Sequence, residues 1–102
     1  MTYLHELAIE IRNEVPEDVK PDTDTVDLFI LYAVLLLAKG ETVSCEDVHN
    51  AWAAWKLLHG EDHESVRPFA ELTPATQDED SPYVVAIRRV AQRHRSDRRH
   101  SP

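Results

Sequence analysis

Glycine and cysteine are scarce in this chain, which has two glycines and one cysteine among 102 residues. Gly40 and Gly60 alone do not supply the glycine-rich loop that cradles phosphates, nor a Gly-x-Ser-x-Gly nucleophile turn. The single Cys45 excludes an internal disulfide framework and favours a reducing compartment. No basic segment followed by an apolar run opens the sequence, so we expect a cytoplasmic protein without a secretory signal.

Long apolar runs are also missing. The most apolar stretch, residues 26–38, has one charge in 13 residues, whereas a membrane-spanning helix needs about 20 apolar residues. We therefore interpret this stretch as a central core helix and expect no membrane association. The length suffices for one domain, and the 42% content of hydrophobic residues is that of a globular chain.

Charge is unevenly distributed along the chain, whose formal net charge is −8. Residues 1–87 hold 5 basic and 18 acidic side chains, whereas residues 88–102 hold six arginines and one aspartate. Complementary charges steer protein association, while an acidic body repels a nucleic-acid duplex. We therefore expect an unidentified protein partner or a homodimer, with nucleic-acid binding as a less favoured alternative. The contact residues in either case are Arg88, Arg89, Arg93 and Arg95.

Apolar residues recur at spacings of three and four, which predicts an all-α fold. We expect a compact bundle of four main helices with a long ordered loop between the third and the last. The helix boundaries are indicated by Pro16, a cap at Thr23 or Asp24, Gly40, the Ser44-x-x-Asp47 capping box, Thr73-Pro74 and Ser81-Pro82. Residues 1–95 should form a single domain, with 96–102 as a basic flexible tail.

The third helix carries the most informative side chains. An apolar stripe predicts its core face, formed by Val48, Ala51, Trp52, Trp55 and Leu58. His49 lies beside this stripe and has two interpretations. The favoured one is a partly buried histidine bonded to the backbone. In the other, His49 joins Trp52, Trp55 and Phe69 in an aromatic pocket suited to a planar ligand.

Catalytic and metal-binding patterns are weak. Cys45 lies at a helix N-terminus, but Glu46 and Asp47 flank it and oppose a thiolate. His59 and His63 have a spacing that joins two zinc ligands only on a helix, and Gly60 predicts a loop there. We therefore expect no enzymatic activity, no metal and no cofactor.

Two motifs follow one another in an order that resembles the sequence pattern of a known family. Val48-His49-x-x-Trp52 is followed by Pro68-Phe69-x-x-Leu72, and residues 21–91 resemble the ryanodine-receptor repeat (RyR domain). Single copies of this repeat occur in small bacterial and phage proteins, so the resemblance implies a helical, non-enzymatic sensing or interaction module, with a phage or prophage origin as one option. The family's Gly-Trp-x-Tyr-Gly stretch, suggested to line an adenine-nucleotide pocket, is absent here.

Together these features favour a non-catalytic protein–protein interaction or regulatory module. Two alternatives stay open. One is a sensor of a nucleotide-derived small ligand that uses His49, Trp52, Trp55 and Phe69. The other is nucleic-acid binding through the basic C-terminal segment.

Overall fold

The fold is a bundle of helices, and the part of the chain that the structure describes contains no strand. The computed structural model describes residues 2–20, 25–60 and 64–100, with side chains described as far as residue 95. Its α-helices are α1 (Tyr3–Glu14), α2 (Val26–Lys39), α3 (Cys45–Leu58), α4 (Pro74–Asp78) and α5 (Ser81–His100). Short 3₁₀ turns cover Glu17–Val19, Gly40–Thr42 and Phe69–Glu71. The predicted all-α bundle of four main helices is confirmed, and the five-residue α4 lies in the connection before the last of them.

Local capping signals set most helix boundaries. Gly40 ends α2 with a φ of 57°, a left-handed conformation that glycine adopts without strain. Both bonds of the capping box are formed at the start of α3, between Ser44 and Asp47. Thr73 Oγ1 accepts the Thr76 N–H at the start of α4. The first turn of α2 begins at Val26, and the predicted caps at residues 23 and 24 lie outside the described residues.

The core is built from the inner faces of α1, α2 and α5. Helices α1 and α2 pack against each other, α5 lies against both and against the 40–42 turn, and α3 packs on α2. Burying apolar side chains is the main stabilising contribution to such a bundle. The buried apolar residues are Leu7, Ala8, Ile11, Val15, Leu28, Phe29, Tyr32, Ala33, Leu36, Val43, Val48, Val84, Ala86, Ile87, Val90 and Ala91.

Two expectations about burial are wrong in part. Helix α2 is not a fully enclosed core helix, because its outer face is exposed at Val26, Val34 and Leu37. The stripe of α3 is also less buried than expected: Trp52 and Trp55 are only half-buried, and Leu58 is 78% exposed. Helix α3 packs mainly on α2, and its indoles pack against the core without being enclosed by it.

The last helix continues past the predicted domain boundary. The backbone of α5 is helical to His100, whereas the sequence places a tail from residue 96. The side chains of 96–100 lie outside the described residues, so the assignment of a basic flexible tail stays a prediction. Among the described residues, none of the helices combines the length and the apolar character that crossing a bilayer requires.

Candidate functional site

A cavity of about 410 Å³ lies between α2, α3 and the segment that joins α4 to α5. This volume falls in the range of small-molecule pockets, roughly 300–1,000 Å³. The walls combine aromatic rings with a few charged groups: Tyr32, His49, Trp52, Trp55 and Tyr83 supply the rings, and Lys56, Glu79 and Asp80 supply the charges. The structure therefore brings three of the four predicted pocket residues together in one concave site.

His49 is held in place by the backbone of the following loop. Its side chain is 3% exposed, and Nε2 donates a hydrogen bond to the Arg67 carbonyl oxygen at 2.7 Å. Its ring lies 5.7 Å from the Trp52 ring and 6.0 Å from the Phe69 ring, measured between centroids. The two interpretations of His49 therefore coexist, since the backbone-bonded ring also lines the cavity.

Phe69 packs against His49 and is not part of the cavity wall. Its ring packs on His49, and its carbonyl oxygen accepts a hydrogen bond from Gln77 Nε2 at 2.9 Å. The Phe69–Glu71 turn is thereby joined to both α3 and α4. The expectation that Phe69 contacts a ligand is not matched by its position, because it lies in the shell around His49 and is not among the residues of the cavity wall.

The two indoles of α3 share a cation from their own helix. Lys56 Nζ lies 5.7 Å from the Trp52 ring centroid and 5.3 Å from the Trp55 ring centroid. An ammonium at this distance is attracted by the negative face of an indole. Trp55 and Lys56 follow Trp52 by three and four residues on α3, which places both side chains beside that of Trp52.

Asp80 is the charged residue that sequence reasoning missed. Its carboxyl group is half-buried in the cavity wall, and burial raises its pKa to about 6, with His49 acting in the opposite direction and Glu79 in the same one. No hydrogen bond or ion pair joins its carboxylate to another described residue. In the sequence, Asp78 to Asp80 are typical of a solvated acidic helix end. Only the tertiary fold brings residue 80 opposite α3.

Two tyrosines close the cavity on the side of the core. The Tyr32 and Tyr83 ring centroids are 5.7 Å apart, and burial raises the pKa of both phenols, so both remain neutral. The Tyr83 hydroxyl donates to the Val19 carbonyl oxygen at 2.8 Å. This bond fixes the start of α5, and with it Asp80, against the turn that precedes α2.

The Trp55 indole nitrogen has no role in ligand contact. Its Nε1 is fully enclosed and has no hydrogen-bond partner among the described residues. A buried donor without an acceptor costs about 1–3 kcal/mol. Because the atom is enclosed, a molecule in the cavity contacts the ring of Trp55 but not this N–H group.

The predicted contact arginines are bound to the acidic body of the same chain. Arg88 Nε donates to the Val43 carbonyl oxygen at 2.9 Å. Arg93 pairs with Glu14 at 2.8 Å, and Arg89 lies 3.9 Å from the same carboxylate. Arg95 pairs with Glu41 at 2.8 Å. Protein or nucleic-acid contact through these arginines stays a prediction, and it would compete with these ion pairs.

A second cavity of about 550 Å³ lies where α1, the end of α2 and α5 meet. Four of its charged or titratable groups form two pairs, since His94 Nε2 donates to Glu10 at 2.7 Å and Arg95 bonds Glu41, and Glu6 also lines it. It presents two rings, the exposed Tyr3 phenol and the His94 imidazole, whereas the first cavity presents five. We therefore regard the first cavity as the candidate site.

Metal and thiol chemistry have little support in the described part of the chain. No group of three or more histidine, cysteine, aspartate or glutamate side chains is arranged to hold a metal ion there. His63, the second histidine of the pair weighed above, lies outside it. The Cys45 thiol is half-buried and lies 3.8 Å from the Ser81 hydroxyl, with no base in contact with it.

Comparison with known proteins identifies a family without assigning a role. The sequence model of a family described as "Domain of unknown function (DUF7701)" matches residues 2–92. Comparison with curated proteins gives no match, and neither does comparison with solved structures. The matched range includes the whole wall of the candidate site, whereas Arg93 and Arg95 lie beyond it.

Proposed function

The chain belongs to the DUF7701 family, and we propose that it is a non-catalytic binding module whose cavity between α2, α3 and α5 takes a small planar ligand. One observation carries this proposal. The cavity brings the imidazole of His49 and the indoles of Trp52 and Trp55 opposite the carboxyl group of Asp80. Aromatic walls with a few convergent polar groups are the usual composition of a small-molecule site.

The resemblance to the RyR repeat and its nucleotide-derived ligand remain part of this proposal. So does a cytoplasmic location, in which Cys45 remains a free thiol. The planar base of a nucleotide suits the indole faces. The phosphates fit less well, since Glu79 and Asp80 would face them and Lys56 is the cation on that wall.

Thermal unfolding with a ligand panel tests the proposal. The panel contains adenosine, adenine mononucleotides, cyclic nucleotides and small planar amides and amidines. A ligand present at 100 times its Kd stabilises the folded state by about 2.7 kcal/mol. We expect at least one member to raise the Tm, and Trp52→Leu to remove that shift.

Leu57→Ala is the matched control, because Leu57 lies on the same helix but is exposed away from the cavity. It should retain the shift. A panel in which no member stabilises the wild-type protein, or in which both variants respond equally, would contradict the proposal.

An interaction role through α2 is the second candidate, because its outer face is unusually apolar. Val26, Ile30, Val34 and Leu37 follow one another at spacings of four, four and three, and three of them are about half-exposed. A helix that is hydrophobic all round normally lies buried. This row is a second surface, besides the arginines, that favours protein association.

A second copy of the chain is the partner that this face suits. In 14 residues, α2 has one acidic residue near its start, Asp27, and one basic residue at its end, Lys39. A two-fold antiparallel pairing of α2 helices places each start beside the partner's end, so unlike charges flank the apolar row. Four apolar side chains are few beside the roughly 20–30 residues per partner of a standard interface, so we expect a weak, reversible homodimer.

Sedimentation over a range of concentrations tests this dimer. We expect Val34→Lys to shift the association to higher concentration. Val85→Lys on α5 is the matched control, because Val85 is 45% exposed and Val34 is 47% exposed. A wild-type protein that stays monomeric at every concentration, or equal effects of the two substitutions, would exclude this dimer.

A further inference from the structure

We infer that the ligand of this cavity is a planar organic cation with N–H donors, a guanidinium or an amidinium, which stacks on the α3 indoles and pairs with the carboxylate of Asp80. The inference rests on the proposed function, because it names the chemical class that the same cavity selects. Three observations lead to it: a carboxylate with no hydrogen bond or ion pair from another described residue, a pair of indole faces that already hold a cation, and a surplus of negative charge at the wall.

The carboxylate of Asp80 receives no hydrogen bond from the described residues around it. Half-buried acidic groups normally have hydrogen-bond donors or a cation beside them, because desolvation of the charge is costly otherwise. Asp80 has no such bond from a described residue. An amidinium or guanidinium presents two parallel N–H groups, and these match the two oxygens of a carboxylate.

The indoles of Trp52 and Trp55 show that this wall accepts positive charge. Lys56 Nζ lies within 6 Å of both ring centroids, which is the distance range of cation–π attraction. A planar cation has the additional property of stacking flat on an aromatic face. Lys56 is thus the internal competitor of the ligand, and its side chain has to move off the indoles when a cation binds.

The charges around the cavity favour a cation over an anion. Glu79 and Asp80 bring two carboxylates to the wall, against one lysine and the imidazole of His49. A phosphate group would face like charge on the side of α5. A neutral planar ring would gain the stacking but would leave the Asp80 carboxylate unpaired.

Calorimetric titration with benzamidine and benzamide tests the inference, because the two are nearly isosteric and differ in charge. We expect benzamidine to bind at least about tenfold more tightly, a difference of about 1.4 kcal/mol. Asp80→Asn should remove most of this preference. Lys56→Met, which keeps the length of the stem, should tighten benzamidine binding several-fold because it removes the competing ammonium.

The outcomes separate the inference from the proposed function. Benzamide or adenosine monophosphate binding as tightly as benzamidine would overturn the choice of a cation and would leave a planar-ligand site standing. Retention of the full preference in Asp80→Asn would also overturn it. If none of the three probes binds and the ligand panel has also failed, both the inference and the proposed function are wrong. Circular dichroism of each variant shows that a lost preference does not reflect unfolding.

Discussion

At the scale of single residues, Asp80 opposes folding at neutral pH. The pKa of its carboxyl group is raised to about 6 by burial, whereas an aspartate in the unfolded chain titrates near 3.9. The folded state therefore binds a proton more readily than the unfolded state between these values. Stability falls as the pH rises through this window, and the unfavourable contribution persists above it.

Replacing the Asp80 carboxylate should stabilise the fold only at pH values at which this group is ionised. We expect Asp80→Asn to raise the free energy of unfolding by about 1 kcal/mol near pH 7.5, a figure reduced for the exposed half of the group. Near pH 4 the substitution should have little effect. The start of α5 is retained, because the backbone carbonyl of residue 80 accepts the Val84 N–H and asparagine caps helices as well as aspartate does. Denaturant unfolding at both pH values measures the change in free energy of unfolding. Equal changes at the two pH values would refute the raised pKa of Asp80.

Cation affinity should depend on the same carboxyl group. We expect benzamidine binding to weaken as the pH falls through about 6, the raised pKa of Asp80, and we expect Asp80→Asn to flatten this profile. A wild-type affinity that is constant from about pH 7.5 to about pH 5 would contradict the role of Asp80. The titratable groups facing Asp80 are His49 and Lys56 from α3, Glu79 from the end of α4, Tyr32 from α2 and Tyr83 from α5.

At the scale of elements, the boundaries marked by local capping residues were predictable, the end of α5 was not, and the residues of only one wall of the pocket were predictable. Ser44, Thr73 and Gly40 act within a few residues along the chain, so their capping roles follow from local sequence. His49, Trp52 and Trp55 share a helical face and were found for the same reason. Asp80 was missed because its position depends on how α5 packs against α3, which no local pattern encodes.

A hydrogen bond from the buried His49 helps to hold the connection between α3 and α4 on α3. His49 Nε2 donates to the Arg67 carbonyl oxygen, and a lost buried hydrogen bond costs about 1–3 kcal/mol. We expect His49→Ala to speed amide hydrogen exchange in residues 65–72 by about tenfold or more, relative to α1. His49→Gln keeps a donor and should restore part of the protection. Unchanged exchange in this segment, with α1 as internal reference, would show that other contacts hold it.

At the scale of the whole molecule, the sequence predicted the charge division, but it did not predict where the charges meet. The arginines of α5 contact Glu14 of α1 and Glu41 of the 40–42 turn. These contacts join residues far apart in sequence, so only the packing of α5 across the bundle reveals them. The unequal charges of the two chain regions are in this way partly neutralised inside one molecule.

Glu14 is the acidic partner shared by two arginines. We expect Glu14→Gln to lower the free energy of unfolding by less than about 1 kcal/mol, because both arginine partners are about half-exposed or more and solvent screens the pairs. The difference from wild type should shrink in about 1 M salt. Glu17→Gln is a suitable control, because Glu17 pairs only locally, with Lys20. A loss that does not respond to salt would indicate that Glu14 acts by packing instead.

The central claim is that the cavity between α2, α3 and α5 binds a planar organic cation, and an NMR titration with benzamidine tests it most directly. The chain has two tryptophans, Trp52 and Trp55, and both line this cavity, so the two indole N–H signals report on one site. We predict saturable shifts of the Trp52 indole signal and of backbone amides in residues 49–56 and 79–83, with unchanged signals at Glu10 and His94 in the second cavity. Shifts centred on that second cavity, or no saturable shift at residues 49–56 and 79–83, would contradict the claim.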